Sequence, residues 1–370
     1  MKKTATKILI ASTLISLTHL TYAQEFKRFS VSAGWLHVMP QGKANPFNIN
    51  TNVKNGTVTK VGSISTTSFL NSVDPNAMGT DLGGETFNQK EFLEFALKDP
   101  SMTAILTDGN GNILPEVAGS ANIYGLENWR QNDAGLEVDD VDTLGLMFNY
   151  YLNDKVSLQL IGGVPPKVDI KGKGEISAPL SGLAVSPNEI VKILFPDGIT
   201  LGQSVPITNL GNKSKAATVR AWTPAIEAQY QFGTSGVDKF RPYVGAGLMY
   251  AHFNQIKLNE GIRSDLISAG HMIQNVLDGK GGAALDRKVS SGDMTVKVDA
   301  DDAIAPIVSV GFTYDFNDSW FGVGSVSYAK LNNEATIKVI NKNTGNKLIH
   351  ATTKIDIDPL ITYVGVGYRF

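Results

Sequence analysis

Few residues in this chain have the types and spacing that covalent chemistry needs. There is no cysteine, which removes thiol nucleophiles, disulfide frameworks and Cys-ligated metals together. Apart from His19, the histidines are His37, His252, His271 and His350. Two of these fall near the ends of strand-like runs and two in long loop-like stretches. No Gly-x-Ser-x-Gly and no His-Glu-x-x-His occurs. A nucleophile needs a base within hydrogen-bond reach, so a hydrolytic site would have to be assembled from distant segments, and the expectation is a protein that is not an enzyme. The acidic run Glu137, Asp139, Asp140, Asp142 and the pair Asp301–Asp302 suit either a divalent cation or solvated carboxylates at loop-to-strand borders. The glycines from Gly279 to Gly282 follow a helical pattern instead of preceding one, which is the wrong order for a phosphate loop. No cofactor and no metal is expected.

The elements are more informative than the reactive groups. The last eleven residues, Leu360 to Phe370, alternate strictly. Leu360, Thr362, Val364, Val366, Tyr368 and Phe370 share one face; Ile361, Tyr363, Gly365, Gly367 and Arg369 share the other. A chain that ends inside a strand on an aromatic fits an outer-membrane barrel, whose last strand must pair with the first because an open edge cannot survive in lipid. Tyr368 and Phe370 then form the C-terminal signal for barrel assembly and sit in the interfacial aromatic girdle.

The beginning of the chain agrees. Lys2, Lys3 and Lys7 form a basic region, an apolar stretch runs from Ile8 to about Leu17, and Thr21-Tyr22-Ala23 fits a small-x-small cleavage site. Residues 1–23 are therefore expected to be a signal peptide and 24–370 the barrel. Without the signal, 30 basic residues stand against 35 acidic ones, and nothing in that balance suggests nucleic acid. No later run of about 20 apolar residues offers a helical span.

Alternation recurs in eight places: Phe29 to about Val38, Asp142–Leu152, Val156–Val164, Val219–Phe232, Phe240–Phe253, Ile304–Phe316, Trp320–Leu331 and the C-terminal run. Each is long enough to cross the hydrocarbon when tilted. The fifth is apolar on both faces and resists phasing. Sequence alone does not say which face points outward, so a lipocalin-like soluble barrel is the competing fold. The connections fall into two classes. Asn153–Lys155, Gly233–Lys239 and Asn317–Ser319 are tight turns, whereas about 40–140, 165–217, 255–302 and 333–355 are long. Short periplasmic turns and long extracellular loops are the outer-membrane pattern. Within the loops, Ser186-Pro187-Asn188-Glu189 predicts a capped helix through Phe195. Ser264-Asp265 opens a second ending near Gly279, and Thr86 with Gln89 a third through about Leu97.

Four stretches resemble the outer-membrane protein W (OmpW) family, which includes AlkL-type alkane-uptake proteins. They are Lys239–Gly247 (KFRPYVGAG), Val219–Gly233, Leu144–Val164 with the proline after it, and Ile357–Phe370. The first loop, from about Pro40 to Asp140, is several times longer than is usual in that family. The resemblance implies an all-β fold, an eight-stranded antiparallel transmembrane barrel in the Gram-negative outer membrane, with long extracellular loops containing short helices. It also implies passive uptake of small hydrophobic molecules through a porin-like but narrow protein, with lateral exit into the membrane.

Phasing assigns Thr143, Met147, Asn149, Gln159, Ile161, Glu227, Gln229, Leu248, Tyr250, Ile361 and Tyr363 to the lumen. Among these Met147, Ile161, Leu248, Tyr250, Ile361 and Tyr363 are the oily conduit candidates. Prolines weaken strand pairing because they lack a donor, which makes Pro165, Pro166 and Pro224 the lateral-gate candidates. Expected partners are outer-membrane lipid and lipopolysaccharide, the barrel-assembly machinery and small hydrophobic solutes. The competing function is a surface adhesin or structural protein whose loops do the binding.

Overall fold

The computed structural model describes residues 26–81 and 83–370; the expected signal peptide lies outside them. Eight antiparallel strands close a barrel: β1 (Phe29–Pro40), β2 (Val141–Tyr151), β3 (Val156–Gly163), β4 (Ala225–Gln231), β5 (Phe240–Leu258), β6 (Ala303–Asp315), β7 (Trp320–Ala329) and β8 (Pro359–Arg369). Each pairs with the next, and β8 pairs with β1 in a register that matches Ser30 to Arg369 and Pro40 to Pro359. The Phe29 and Phe370 backbones exchange hydrogen bonds at the seam. The terminal aromatic is thus the last rung of the closure, and its ring stacks on Phe29 and on Tyr368 outside the barrel.

The faces settle the choice between a soluble and a lipid-embedded barrel. Leu160, Ile226 and Val310 are each more than half exposed, while Gln159, Glu227, Gln229 and Arg241 are buried inside. In water this arrangement would leave the apolar gain unused and bury polar groups at a cost. In a bilayer it is the favourable orientation. Phe240, Phe312, Tyr314, Phe316, Trp320 and Tyr368 ring the end that carries the tight turns. Trp35, Trp222 and Tyr250 stand on the outer surface toward the other end. No helix among the described residues is long and apolar enough to cross a membrane.

Above the membrane the strands do not stop. Gly135–Val138, Lys167–Lys173, Ala217–Trp222 and the upper half of β5 form one wall. Met294–Ala300, Asn332–Asn341, Lys347–Asp356, Ala44–Thr51 and Asn128–Gln131 form a second, five-stranded sheet. The stretches expected as loops therefore carry extended sheet as well as helices. A further four-stranded sheet (Thr57–Lys60, Ser120–Tyr124, Glu175–Val185, Ile199–Asn209) and several helices make a folded cap with its own apolar core, including Val73, Leu126, Ala178 and Ile273.

The three expected helices exist, but their starts differ. Asn188, not Ser186, caps Glu189–Leu194. Asn259 caps Glu260–Leu277, a turn before Ser264, and Asn88, not Thr86, caps Gln89–Ala96. In each case the Asn side-chain oxygen accepts from free backbone N–H groups of the first turn.

One carboxylate ties the cap together. The Asp286 Oδ1 accepts from the Ser65 hydroxyl at 2.7 Å, and Ser65 in turn caps the helix Thr66–Ser72. Burial alone would raise this carboxyl; donors from Ser65, Ser68 and Lys288 together outweigh it and hold it below the usual range. A depressed carboxylate stabilises the fold above its unfolded pKa, near 3.9, and that contribution fades as pH falls through the folded value. Protection of the 66–72 amides, taken relative to the intrinsic exchange rate at each pH, is accordingly expected to fall on acidification below about pH 4. Asp286→Asn should lower that protection already at neutral pH.

Candidate functional site: an apolar cavity at a break in the wall

The outer half of the barrel holds a cavity of about 490 Å³. Its lining is almost wholly apolar. Val168, Ile170, Val219 and Ala221 contribute from one wall, and Ala335, Ile355 and Ile357 from the other. These positions follow from alternation: in Lys-Val-Asp-Ile-Lys (167–171) the aliphatic residues turn inward and the charged ones outward, as burial confirms. Met147, Met249, Ile161, Ile307 and Tyr363 lie deepest in the barrel.

Below them the lumen changes character. Asn149, Gln229 and Gln159 form a closed ring of amides, donating in turn at 3.2, 2.8 and 2.9 Å. The Ser309 hydroxyl donates to Glu227 at 2.6 Å, Gln231 donates to Thr313 at 2.7 Å, and the Tyr363 hydroxyl donates to Ser32 at 3.1 Å. The Arg369 guanidinium donates to Asp315 at 2.6 Å and lies over the Phe321 ring at 4.4 Å. The void left in this layer is about 10 Å³, room for about one water. An apolar solute in the cavity therefore meets a polar, packed floor.

In the Arg369–Asp315 pair the guanidinium is buried and the carboxylate largely so. Removing only the carboxylate leaves a buried unpaired cation, so Asp315→Ala is expected to cost about 3–5 kcal/mol. Urea-unfolding midpoints in detergent micelles would measure it.

The wall itself is interrupted. The β3–β4 ladder ends at Ile161–Ala225, and pairing resumes at Lys167–Arg220. Between them, residues 162–166 face 221–224 with a backbone bond from Ala221 N–H to the Pro166 carbonyl at 3.1 Å. On the other flank the β2–β3 ladder ends at Gly145–Gly163, and the next paired strands begin at Val138–Ile170. Pro165, Pro166 and Pro224 all lie in this interval and supply no N–H. Val164, Trp222 and Pro224 are exposed on the outer surface and also line the cavity, so the cavity reaches the lipid-facing side here.

The structure places Met147, Ile161, Thr143, Ile361 and Tyr363 on the cavity. Asn149, Gln159, Glu227 and Gln229 lie in the polar layer beneath. Leu248 and Tyr250 are a correction. They point outward, about half exposed, with Leu248 opposite Ile226 and Pro306 and Tyr250 opposite Ile304. The inward set of β5 is Arg241, Tyr243, Gly245, Gly247, Met249 and Ala251. Its aliphatic and aromatic members made the two faces look alike. The usable signal was Arg241, whose guanidinium must turn inward to reach the Asp154 carbonyl at 2.5 Å. Strand four was another: expected as one run over 219–232, it is broken at Thr223–Pro224.

The chain matches the sequence profile of the OmpW family over residues 281–370, which contain the last three barrel strands. It is 24% identical over 296 residues to Outer membrane protein W of Escherichia coli, covering 80% of this chain and 96% of that one. It is 25% identical over 235 residues to Outer membrane protein W of Vibrio cholerae, covering 64% and 76%. The crystal structure of the outer membrane protein OprG from Pseudomonas aeruginosa aligns with a TM-score of 0.47 at 14% identity, over 93% of this chain and 96% of that one. With a closed eight-stranded barrel whose apolar face is outside, the chain is an outer-membrane β-barrel protein, similar to the OmpW family over its last three barrel strands and to the Outer membrane protein W relatives over most of its length.

Proposed function

We propose that this protein takes up small hydrophobic molecules passively, receiving them in the outer cavity and releasing them sideways into the membrane. The observation that carries this reading is the combination of an apolar cavity, a polar packed floor and a break in the wall at cavity height. A solute leaving water for such a cavity gains roughly 25 cal/mol per Å² of apolar surface. Continuing downward, it would have to displace the amide ring and gain nothing in return. Moving sideways past Val164, Trp222 and Pro224, it passes from one apolar surrounding to another.

A second reading, surface adhesion through the cap, draws on the cap being a folded unit with its own core. Deleting the cap sheet and its helices separates the two: adhesion disappears with the cap, while uptake through the cavity need not.

The reading assigns no catalytic role to the histidines. His37 and His252 pair with Asp142 and Asp302 on the outer surface at 2.8 and 2.7 Å. His271 Nδ1 lies 2.9 Å from the Ser290 hydroxyl and accepts the Ser290 backbone N–H at 3.2 Å. The serine is buried and held as a loop clasp, the opposite of an accessible nucleophile. Substituting His271 by Asn should leave hydrolysis of short acyl esters at the background rate; a measurable activity lost on that substitution would sink this part of the reading.

A further inference from the structure

Directly above the wall break, the outer surface carries cations without counter-charges. Lys167 and Arg220 are register partners on neighbouring strands. Both point away from the cavity, because Val168, Val219 and Ala221 between and beside them line it. Like charges directly opposite each other on a sheet destabilise it. Asp169, two residues along the same face, is already engaged by Lys215 at 3.0 Å and by the Thr218 hydroxyl at 2.9 Å. Neither Lys167 nor Arg220 makes an ion pair or a side-chain hydrogen bond among the described residues, and the Arg220 Nε is buried without a partner. Lys257, opposite Thr218 on β5, adds a third cation to the same face with no ion pair among those residues.

The height of this group is informative. Trp222 lies two residues below Arg220 on the same outer face and is exposed, and an exposed Trp on a barrel's outer face suits the membrane interface. A cation one rung farther out stands at the headgroups, where phosphates are. The guanidinium fork and an ammonium beside it suit a phosphate monoester. Lys167 follows Pro165–Pro166 directly, and two residues separate Arg220 from Thr223–Pro224.

We propose that Lys167, Arg220 and Lys257 bind the phosphate of a lipid A molecule in the outer leaflet, so that its acyl chains lie across the break in the wall beside Val164 and Trp222. This deepens the lateral-exit reading, on which it rests: the solute would leave into the chains of a held lipid instead of random bilayer. Lys167 and Arg220 face each other with no carboxylate between them, and the lipid phosphate supplies the negative charge that such a pair attracts.

The test reads lipid, not transport. The full-length chain is extracted in mild detergent, and lipid A that co-purifies is counted by native mass spectrometry, for wild type and for Lys167→Gln/Arg220→Gln. Exposed Lys60→Gln in the cap serves as a control. Added lipid A, enzymatically dephosphorylated lipid A and phosphatidylglycerol are titrated in parallel. The proposal expects one retained lipid A on the wild type and the control. It expects about tenfold weaker retention by the double variant, and weaker binding of dephosphorylated lipid A and phosphatidylglycerol to wild type. Equal retention by wild type and double variant, or equal binding of phosphorylated and dephosphorylated lipid A, would overturn it. Folding of each variant is checked by the shift in gel mobility on heating. Because no solute is involved, failure here leaves the uptake reading intact, and an uptake failure leaves lipid retention measurable.

Discussion

Phe253→Asp is expected to reduce uptake of an apolar tracer by at least about tenfold. Phe253 lies opposite Ala221 across the wall and lines the cavity, half-buried. A carboxylate there keeps water in the cavity, and each apolar solute must then displace that water. Phe253→Leu keeps the surface apolar and should retain most of the uptake. Leu248→Ala is the informative companion. The alternation of the fifth strand put Leu248 in the lumen, whereas its side chain faces lipid, so its truncation should leave uptake unchanged. A large loss from Leu248→Ala would mean that the face of β5 is misassigned.

The second large effect is at the wall. The chain has no cysteine, so Val164→Cys/Pro224→Cys introduces a single addressable pair, one residue on each side of the break. Bridging it with a reducible bifunctional thiol reagent should bring apolar uptake down to that of cells lacking the protein, and reduction should restore it. Each single-cysteine variant treated in the same way should transport normally. Uptake that persists with the bridge in place would eliminate lateral exit and leave only a downward route through the amide ring.

Much of the barrel was legible in the sequence because lipid-facing strands enforce a period of two over their whole length. Leu144, Leu146 and Phe148 against Gly145 and Met147, or Val308, Val310 and Phe312 against Ser309 and Gly311, have few other solutions. The terminal Tyr368 and Phe370 marked the closing strand for the same reason. What alternation does not carry is a sign, and β5 shows the consequence. Where Met249 and Tyr243 face inward as Leu248 and Tyr250 face outward, only a charge such as Arg241 breaks the tie. The cavity walls were missed for a different reason. Val168 and Ile170 alternate as clearly as any barrel strand, but Lys167, Asp169 and Lys171 on their outer face rule out a lipid-facing strand, so the segment reads as loop. It is a sheet in water above the membrane. The helix starts differ from the expected Ser and Thr positions because Asn caps as well as Ser or Thr, and at each start the Asn (Asn88, Asn188, Asn259) is the residue whose side chain reaches the free N–H groups. The break at Thr223–Pro224 was visible as a proline, but its alignment with Pro165–Pro166 depends on the register of two strands far apart in sequence.

On the proposed function, apolar molecules cross by way of the cavity while polar ones do not. The direct measurement is uptake by porin-poor cells expressing the full chain, following a long-chain alkane beside a small hydrophilic sugar. The account predicts that alkane entry rises and sugar entry does not change, because the amide ring and the Arg369–Asp315 layer close the lower lumen. Sugar entry rising with expression, or alkane entry staying at the level of cells without the protein, would contradict it.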